Sequence, residues 1–423
     1  MEMDMSHFSI ICRNCGHGLE NASSTFDEHC KDALLVTRYR EKRFTDDLGE
    51  GIWKFNWLPV HTPYFEQSGP LVYKSQGLSE KLGIENLYIA FNGYWPERGA
   101  GIQTCTFKEF EAAVVLQNAR ENGFHGLIVA SAGNTARAFS HLSAVTGFTA
   151  IIVVPKMCLM EMWYLENTSS VTTLVVGDGD YSDAIDVARR IASLSRMPYE
   201  GGVKNIAKRD GLGVVLLEAV SRIGKLPDHY FQAVGSGTGA IGVWEMAERF
   251  LEDGRFGSRP PVLHLAQNSP FSPMVRAWEK GSRELFPEDL RPELIGEITT
   301  RVLSTRYPAY SVRGGVYDAL AATGGKMYGI SNDAVFAAIA TFAEAEGIDI
   351  VPAAGVAVAA LGEAVQAKLI QKKDTILLNI TGGGEKRLGR DRERHDVEPI
   401  FVSKNISEKE IGELFCEILK TNS

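Results

Sequence analysis

The sequence predicts an α/β protein built on parallel sheets with helices on both faces. Two observations carry that prediction. The runs at 127–130 and 150–154 are continuous in Val, Ile, Leu and Ala rather than alternating, the run at 171–176 is interrupted only by Thr172 and Thr173, and helical stretches separate the three. A strand that is apolar on both sides is buried on both sides, as parallel sheets require. Glycine-bearing loops also follow three predicted strands, at 131–135, 235–239 and 381–384. The carboxyl ends of strands in an open α/β sheet are where ligands bind. The chain has 423 residues, enough for two lobes around a cleft.

Residues 1–50 are polar, carry Cys and His, and are expected to lie outside the main core as a ribbon-like appendage. Cys12-Arg13-Asn14-Cys15-Gly16 is a CxxC knuckle, and Cys30 follows. A zinc ribbon wants a second CxxC; here the fourth ligand is missing unless His17 or His29 supplies it, so no metal is assigned. A ribbon that has lost its metal is the other reading. Cys105, Cys158 and Cys416 are scattered singly and read as core thiols.

Residues 58–70 read as a loop, with Pro59, Pro63, Gly69 and Pro70. Short strands at 71–73 and 87–90 flank a helix at 79–82 that Gly83 stops. Gly99-Ala100-Gly101 leads to Thr106-Phe107-Lys108-Glu109, where Thr106 and Glu109 have the spacing of a capping box. Phe110, Ala113, Val114, Val115, Leu116 and Ala119 keep the helix apolar nearly all round, and Gly123 can end it. Lys108 then sits in the first turn of a buried helix. The helix dipole and burial both oppose its charge and lower its pKa, as an amine nucleophile needs. The competing reading is a surface lysine.

Strands at 127–130, 150–154 and 171–176 alternate with helices, the last at 181–194. A helix at 211–223 precedes a strand at 230–234, which enters Gly235-Ser236-Gly237-Thr238-Gly239 and a helix ending at Gly254. A strand follows at 262–266, and 268–330 reads as irregular. Helices at 332–346 and 356–367 lead to a last core strand, 375–380, ending at Thr381. The tail is an amphipathic helix with a Ser407/Glu410 capping box and a stripe of Ile411, Leu414, Phe415, Ile418 and Leu419.

The loop 235–239 is the strongest phosphate candidate, because glycines let backbone N–H groups approach an anion at a helix start. Gly237, Gly239 and Gly242 also match GxGxxG. The next strand ends Gln267-Asn268-Ser269, without the acid that would hold a ribose, so a monophosphate fits better than a dinucleotide. Asn134 and Thr135 start a helix whose amides could hold a carboxylate, or serve only as its cap. A buried Thr381 hydroxyl needs a partner, a backbone carbonyl or a ring nitrogen.

Hydrophobic content of 44% and charged content of 23% are those of a soluble globular protein. The net charge of -9 argues against a nucleic-acid or anionic-membrane partner, so anionic substrates need a local positive field. No apolar run approaches the roughly 18 residues of a membrane span. The start, Met1-Glu2-Met3-Asp4, does not read as a secretory signal, and a cytoplasmic location is expected.

A lysine at a helix start, a Ser-x-Gly-Asn-Thr loop, a GSGTG loop and a late Thr-Gly-Gly-Gly occur in that order between about 55 and 390. Together they resemble the fold-type II family of pyridoxal-phosphate enzymes, which includes the tryptophan synthase β chain, threonine synthase and cysteine synthase. Asn205-Ile206-Ala207-Lys208-Arg209-Asp210-Gly211 is similar to the family's Asn-Pro-x-Arg-x-x-Gly stretch. The CxxC and the helix start Pro352-Ala353-Ala354-Gly355 resemble threonine synthase. The resemblance implies two open parallel-sheet αβα lobes with pyridoxal 5'-phosphate in the cleft. Residues 51–106 and 215–400 would form the larger, cofactor-binding domain and 107–214 the smaller. Residues 1–50 would be the appendage and 401–423 the C-terminal helix. It also implies roles: Lys108 holds the cofactor covalently and moves the substrate's α-proton, and Asn134 bonds the 3′-hydroxyl. Gly235, Ser236, Gly237, Thr238 and Gly239 cradle the phosphate, and Thr381 faces the pyridine nitrogen. Ser131, Gly133 and Thr135 hold the substrate carboxylate. A hydroxyl at the ring nitrogen makes a weaker electron sink, suited to β-elimination more than to racemisation.

Two departures matter. The usual Ser-Phe-Lys-Asp-Arg of threonine synthases reads Thr106-Phe107-Lys108-Glu109-Phe110 here, and the preceding strand reads Ala90-Phe91-Asn92 where Lys and Glu are usual. With Trp95-Pro96-Glu97-Arg98, these changes resemble a threonine synthase relative that converts O-phospho-L-serine and sulfite to L-cysteate and phosphate, towards coenzyme M in methanogenesis. The alternative is O-phospho-L-homoserine and water. Lys204, Lys208, Arg209 and Arg98 are candidates to meet these small anions, with solvated surface charge as the plainer reading of each. The family also implies a homo-oligomer, dimer or trimer.

Overall fold

A computed structural model describes residues 7–19, 30–131, 133–166 and 169–421, the side chains of 416–421 excepted. Two parallel sheets organise it. In the smaller, Gly126–Ala130, Thr149–Pro155 and Val171–Val176 lie side by side, and Pro399–Val402 adds beyond Val171–Val176. In the larger, the spatial order is Lys326–Ile330, Val262–Asn268, His229–Ala233, Thr375–Ile380, Asn86–Phe91 and Leu71–Lys74, with only the last strand antiparallel. The central strands are buried on both faces, as their unbroken apolar runs require. The two strands that the sequence pattern does not show, Lys326–Ile330 and Pro399–Val402, are edge strands. Each is partly exposed, and an edge needs no continuous apolar run.

The N-terminal segment is not an appendage outside the core. Phe8–Cys12, Gly18–Leu19 and Leu35–Tyr39 form an antiparallel sheet, and Ile10, Leu35, Tyr39 and Phe44 belong to the main apolar core. Phe44 packs on Phe250 with ring centroids 4.9 Å apart. Its polar composition misleads because its buried hydroxyls answer buried charges. The Thr37 and Tyr39 hydroxyls donate to the Asp210 carboxylate at 2.6 and 2.8 Å.

The helix Ile206–Ile223 begins five residues before the expected 211. Asn205 caps it, accepting from the amides of Ala207 and Lys208. Gly211 is no start signal but a contact point. A Cβ there would stand 2.6 Å from the Phe110 carbonyl oxygen, so the glycine lets this helix press against Lys108–Glu121. Gly242, third glycine of the GxGxxG match, does the same for the helix Thr238–Asp253, where a Cβ would meet the Arg209 carbonyl at 2.2 Å. Gly211→Ala should cost about 1–3 kcal/mol, the usual penalty for overpacking, read as a lower urea midpoint at unchanged slope. A midpoint equal to the parent's would rule out this close contact.

The two capping boxes part company. Ser407 and Glu410 form theirs: the Ser407 amide donates to the Glu410 carboxylate at 2.7 Å, and the Glu410 amide returns a 3.3 Å bond to Ser407 Oγ. This tail helix, Glu408–Thr421, packs Ile411 and Leu414 into the core of the smaller sheet; Ile418 and Leu419 lie outside the described side chains. Thr106 and Glu109 form no box. The Glu109 carboxylate reaches past Thr106 to the amides of Gln103 and Thr104, at 3.2 and 2.9 Å. Cys105 and Cys158 are buried as expected, and the Cys416 side chain lies outside the described residues. No described helix is long and apolar enough to cross a membrane.

Candidate active site

Lys108 is the first residue of its helix, and the turn before it is tied to the end of a core strand. The Phe107 amide donates to the Thr381 carbonyl at 3.0 Å, and the Gly383 amide to the Cys105 carbonyl at 3.2 Å. Cys105 sits at φ +54°, a left-handed conformation that costs a non-glycine residue on the order of 1 kcal/mol and that these bonds enforce. A Cβ on Gly382 would strike the Cys105 carbonyl at 2.4 Å, so the late glycines exist for this approach. Parallel pairing of His229–Ala233 with Thr375–Ile380 then puts the loop 235–239 and Thr381 at one sheet edge. Within that loop, the Gly239 position lies against the Phe107 ring, 3.1 Å from a would-be Cβ.

The Lys108 amine lies in a buried cluster of four charges. Lys108 Nζ is 3.0 Å from Glu111 Oε2, one turn along the same helix. Lys208 Nζ meets the other Glu111 oxygen at 3.2 Å and Glu200 Oε1 at 3.0 Å. The Thr135 hydroxyl donates to Glu111 Oε1 at 2.7 Å, which draws the loop from the smaller sheet to the lysine. Burial lowers the pKa of Lys108, and the neighbouring Lys208 adds to that; Glu111 opposes without reversing it. Burial would lower Lys208 too, but two carboxylates outweigh it and its pKa is raised. Burial would raise Glu111, yet the two ammoniums hold it below the usual carboxylate range. One lysine of the pair is thus poised to shed its proton and the other to stay charged.

The remaining candidates fall as follows. Gly133 holds φ +140°, and the helix Asn134–Thr146 starts just after it. Ser131 Oγ accepts from the Gly133 and Ala136 amides, both at 3.0 Å, so its hydroxyl is engaged as a helix cap. First-turn amides such as those of Asn134 and Thr135 have no carbonyl within the helix to bond. Asn134 Oδ1 accepts from Arg137, whose guanidinium also holds Glu385 at 2.9 Å. Gly235 packs on Leu303, and Gly237, at φ +84°, leaves no room for a Cβ beside Val316. Ser236 and Thr238 pair their hydroxyls at 2.8 Å where the helix Thr238–Asp253 begins. Thr381 is 5% exposed, and its hydroxyl makes no hydrogen bond among the described residues.

Among the candidate cations, Lys208 joins Lys108. Arg209 is fully buried elsewhere, on Glu245 at 3.1 Å and on the carbonyls of Val203 and Leu35. Arg98 stacks on Tyr73 and Trp95, 3.8 and 4.9 Å from their ring centres. Glu111 and Glu200 were not anticipated. Glu111 had a signal: a carboxylate amid the apolar positions of a buried helix must find a partner.

The set fits pyridoxal phosphate on the structure's own terms. A half-buried amine with a lowered pKa opens a helix tied through the Phe107 amide to the Thr381 carbonyl; the Thr381 hydroxyl has no partner among the described residues, and a glycine loop at the same sheet edge opens a sixteen-residue helix. Residues 68–382 match the family described as "Pyridoxal-phosphate dependent enzyme", and the chain belongs to it. Solved structures agree on the fold: maize serine racemase superposes with TM-score 0.55 at 14% identity, covering 76% of this chain and 91% of that one. The serine racemase of Dictyostelium discoideum gives 0.54 at 18%, covering 74% and 91%. Within the family the chain is similar to cysteate synthases. It is 47% identical over 409 residues to that of Methanosarcina barkeri, covering 95% of this chain and 98% of the relative. It is 48% identical over 397 residues to that of Methanoculleus marisnigri, covering 93% and 92%.

Proposed function

We propose that the protein replaces the phosphate of O-phospho-L-serine by sulfite, giving L-cysteate and inorganic phosphate, the step towards coenzyme M expected above. The observation that supports this most is the likeness to cysteate synthases along nearly the whole chain, with the four-charge cluster set at the start of the Lys108 helix. Bound pyridoxal phosphate supplies the electron sink that lets an amino acid lose its α-proton and a β-leaving group. Lys108 would hold it, the amides of 235–239 would take its phosphate, Asn134 its ring hydroxyl, and Thr381 its ring nitrogen. Lys108 Nζ removes the α-proton and returns it at the end, with a pKa that burial brings towards the working range. Phosphate departs with the electron pair of the β C–O bond, and a sulfite lone pair forms the C–S bond. The first-turn amides of Asn134 and Thr135 bind the substrate carboxylate, and Lys208 supplies positive charge for the anions. Both substrates would reach a homo-oligomer in the cytoplasm.

Incubation with phosphoserine and sulfite should release cysteate and phosphate in equal amounts. Turnover of phosphohomoserine and water to threonine, with none of the first pair, would overturn the assignment in favour of threonine synthase. Thr381→Val gives a finer check. No hydrogen bond among the described residues is lost, so the cofactor-free fold should keep its stability within about 1 kcal/mol while the affinity for pyridoxal phosphate falls. Equal affinity in parent and variant would remove Thr381 from the cofactor site.

A further inference from the structure

The sequence left Cys12, Cys15 and Cys30 without an assigned metal, for want of a fourth ligand. The fold adds what spacing could not show: the three Sγ atoms lie within 4.8 Å of one another. None of the three cysteines forms a disulfide. The strand Phe8–Cys12 ends in a tight knuckle, in which the Gly16 amide donates to the Cys12 carbonyl at 3.0 Å and the Cys12 amide to His17 O at 2.9 Å. Gly16 takes φ +72°, which turns the chain so that Cys15 comes back beside Cys12. Cys30 arrives from the far side, and the Asn14 side-chain amide donates to its sulfur at 3.6 Å. His17 is exposed and not part of the cluster, and His29 lies outside the described residues.

A disulfide would use two of these sulfurs and strand the third. Core packing does not account for them either, since Cys15 is exposed and Cys30 half-buried. A tetrahedral zinc ion holds thiolates about 3.8 Å apart, given a Zn–S bond of about 2.3 Å, so modest side-chain movements would close the set. Soft sulfur donors select zinc over the hard cations.

We propose that Cys12, Cys15 and Cys30 bind one Zn²⁺ as thiolates, releasing three protons, with a fourth donor completing the tetrahedron. The knuckle's position gives the metal a purpose. Arg13, between the first two ligands, pairs with Glu248 at 2.6 Å and lies 4.5 Å over the Trp244 ring. Both partners are on the helix that grows from the loop 235–239. On the other side the Leu34 amide donates to Arg313 O at 2.8 Å, and the Ala309 amide to Ser236 O at 2.9 Å. The metal therefore braces the phosphate loop from two directions; this second part rests on the cofactor reading above.

The test uses the full chain. Purified protein should carry about one zinc per chain, and Co²⁺ exchanged into it should show the visible bands of a tetrahedral thiolate site. Cys15→Ser, at an exposed position, should drop the metal below about a tenth of an equivalent. Asn14→Ala keeps every ligand and should weaken zinc about 10–100-fold, the usual effect of losing a bond to a metal ligand. Three thiols that titrate equally with and without chelator, together with no Co²⁺ bands, would overturn the site. So would parent-level metal in Cys15→Ser, which would place the ion elsewhere. Stripping the metal should loosen pyridoxal phosphate several-fold, read by dialysis; unchanged retention would overturn the brace while leaving the metal count standing.

Discussion

Lys108→Ala should abolish turnover of phosphoserine and sulfite, with a fall of at least about 10⁴-fold, because in the proposed mechanism one amine serves as both covalent anchor and proton carrier. The near-visible absorbance band that borohydride removes from the parent should be missing. The fold should survive: Glu111 keeps Lys208 and Thr135 as partners, so no buried charge is left alone. Far-UV dichroism and the urea midpoint check this. A correctly folded Lys108→Ala protein within tenfold of parental activity would remove Lys108 from the mechanism. Lys108→Arg should be as inactive, since a guanidinium stays charged and cannot carry the proton.

Glu111→Gln should destabilise the protein by about 3 kcal/mol near neutral pH, the low end for breaking a buried ion pair. The low end applies because Lys208 retains Glu200 and Lys108 can shed its proton instead. The pH dependence separates this from simple packing damage. The Glu111 carboxyl is held below its usual value, so its stabilisation is complete above about pH 4.5 and is lost as pH falls through the folded pKa. The Lys108 pKa is lowered, so between its folded value and 10.5 the unfolded chain binds more protons and stability rises with pH. The gap between parent and variant should therefore shrink at acid pH, where Glu111 is neutral, and at alkaline pH, where Lys108 is. Urea titrations across the range would show it, and a gap constant from acid to alkaline pH would mean that no ion pair is broken.

The pattern of the sequence located most of the parallel-sheet framework because the relevant signals are local. Continuous apolar runs identified the central strands, and glycine placed the loop 235–239. The signals failed where one stretch of chain depends on a distant one. Thr106 and Glu109 have the right spacing for a capping box, yet the Gln103 and Thr104 amides lie closer to the carboxylate in the folded turn. Gly211 looked like a helix start because its steric purpose, clearance for the Phe110 carbonyl, lies 101 residues back along the chain. The polar N-terminal segment looked external, because its hydroxyls could not be seen to answer Asp210.

By itself the sequence determined a parallel α/β chain with an awkward lysine at a buried helix start, a glycine-bearing loop at another helix start and a threonine at a strand end. Periodicity and turn chemistry act over a few residues, so they can be read in order. Only the tertiary structure decided which charges meet. Lys208 and Arg209 are neighbours in sequence, yet the helix turns one towards Lys108 and the other towards Glu245. That turn of about 100° per residue, with the paired helices fixing its phase, selects one cation for the site. It likewise took folding to bring Cys30 to the Cys12-Cys15 knuckle, since convergence of sulfurs depends on distance in space and not on spacing in the chain.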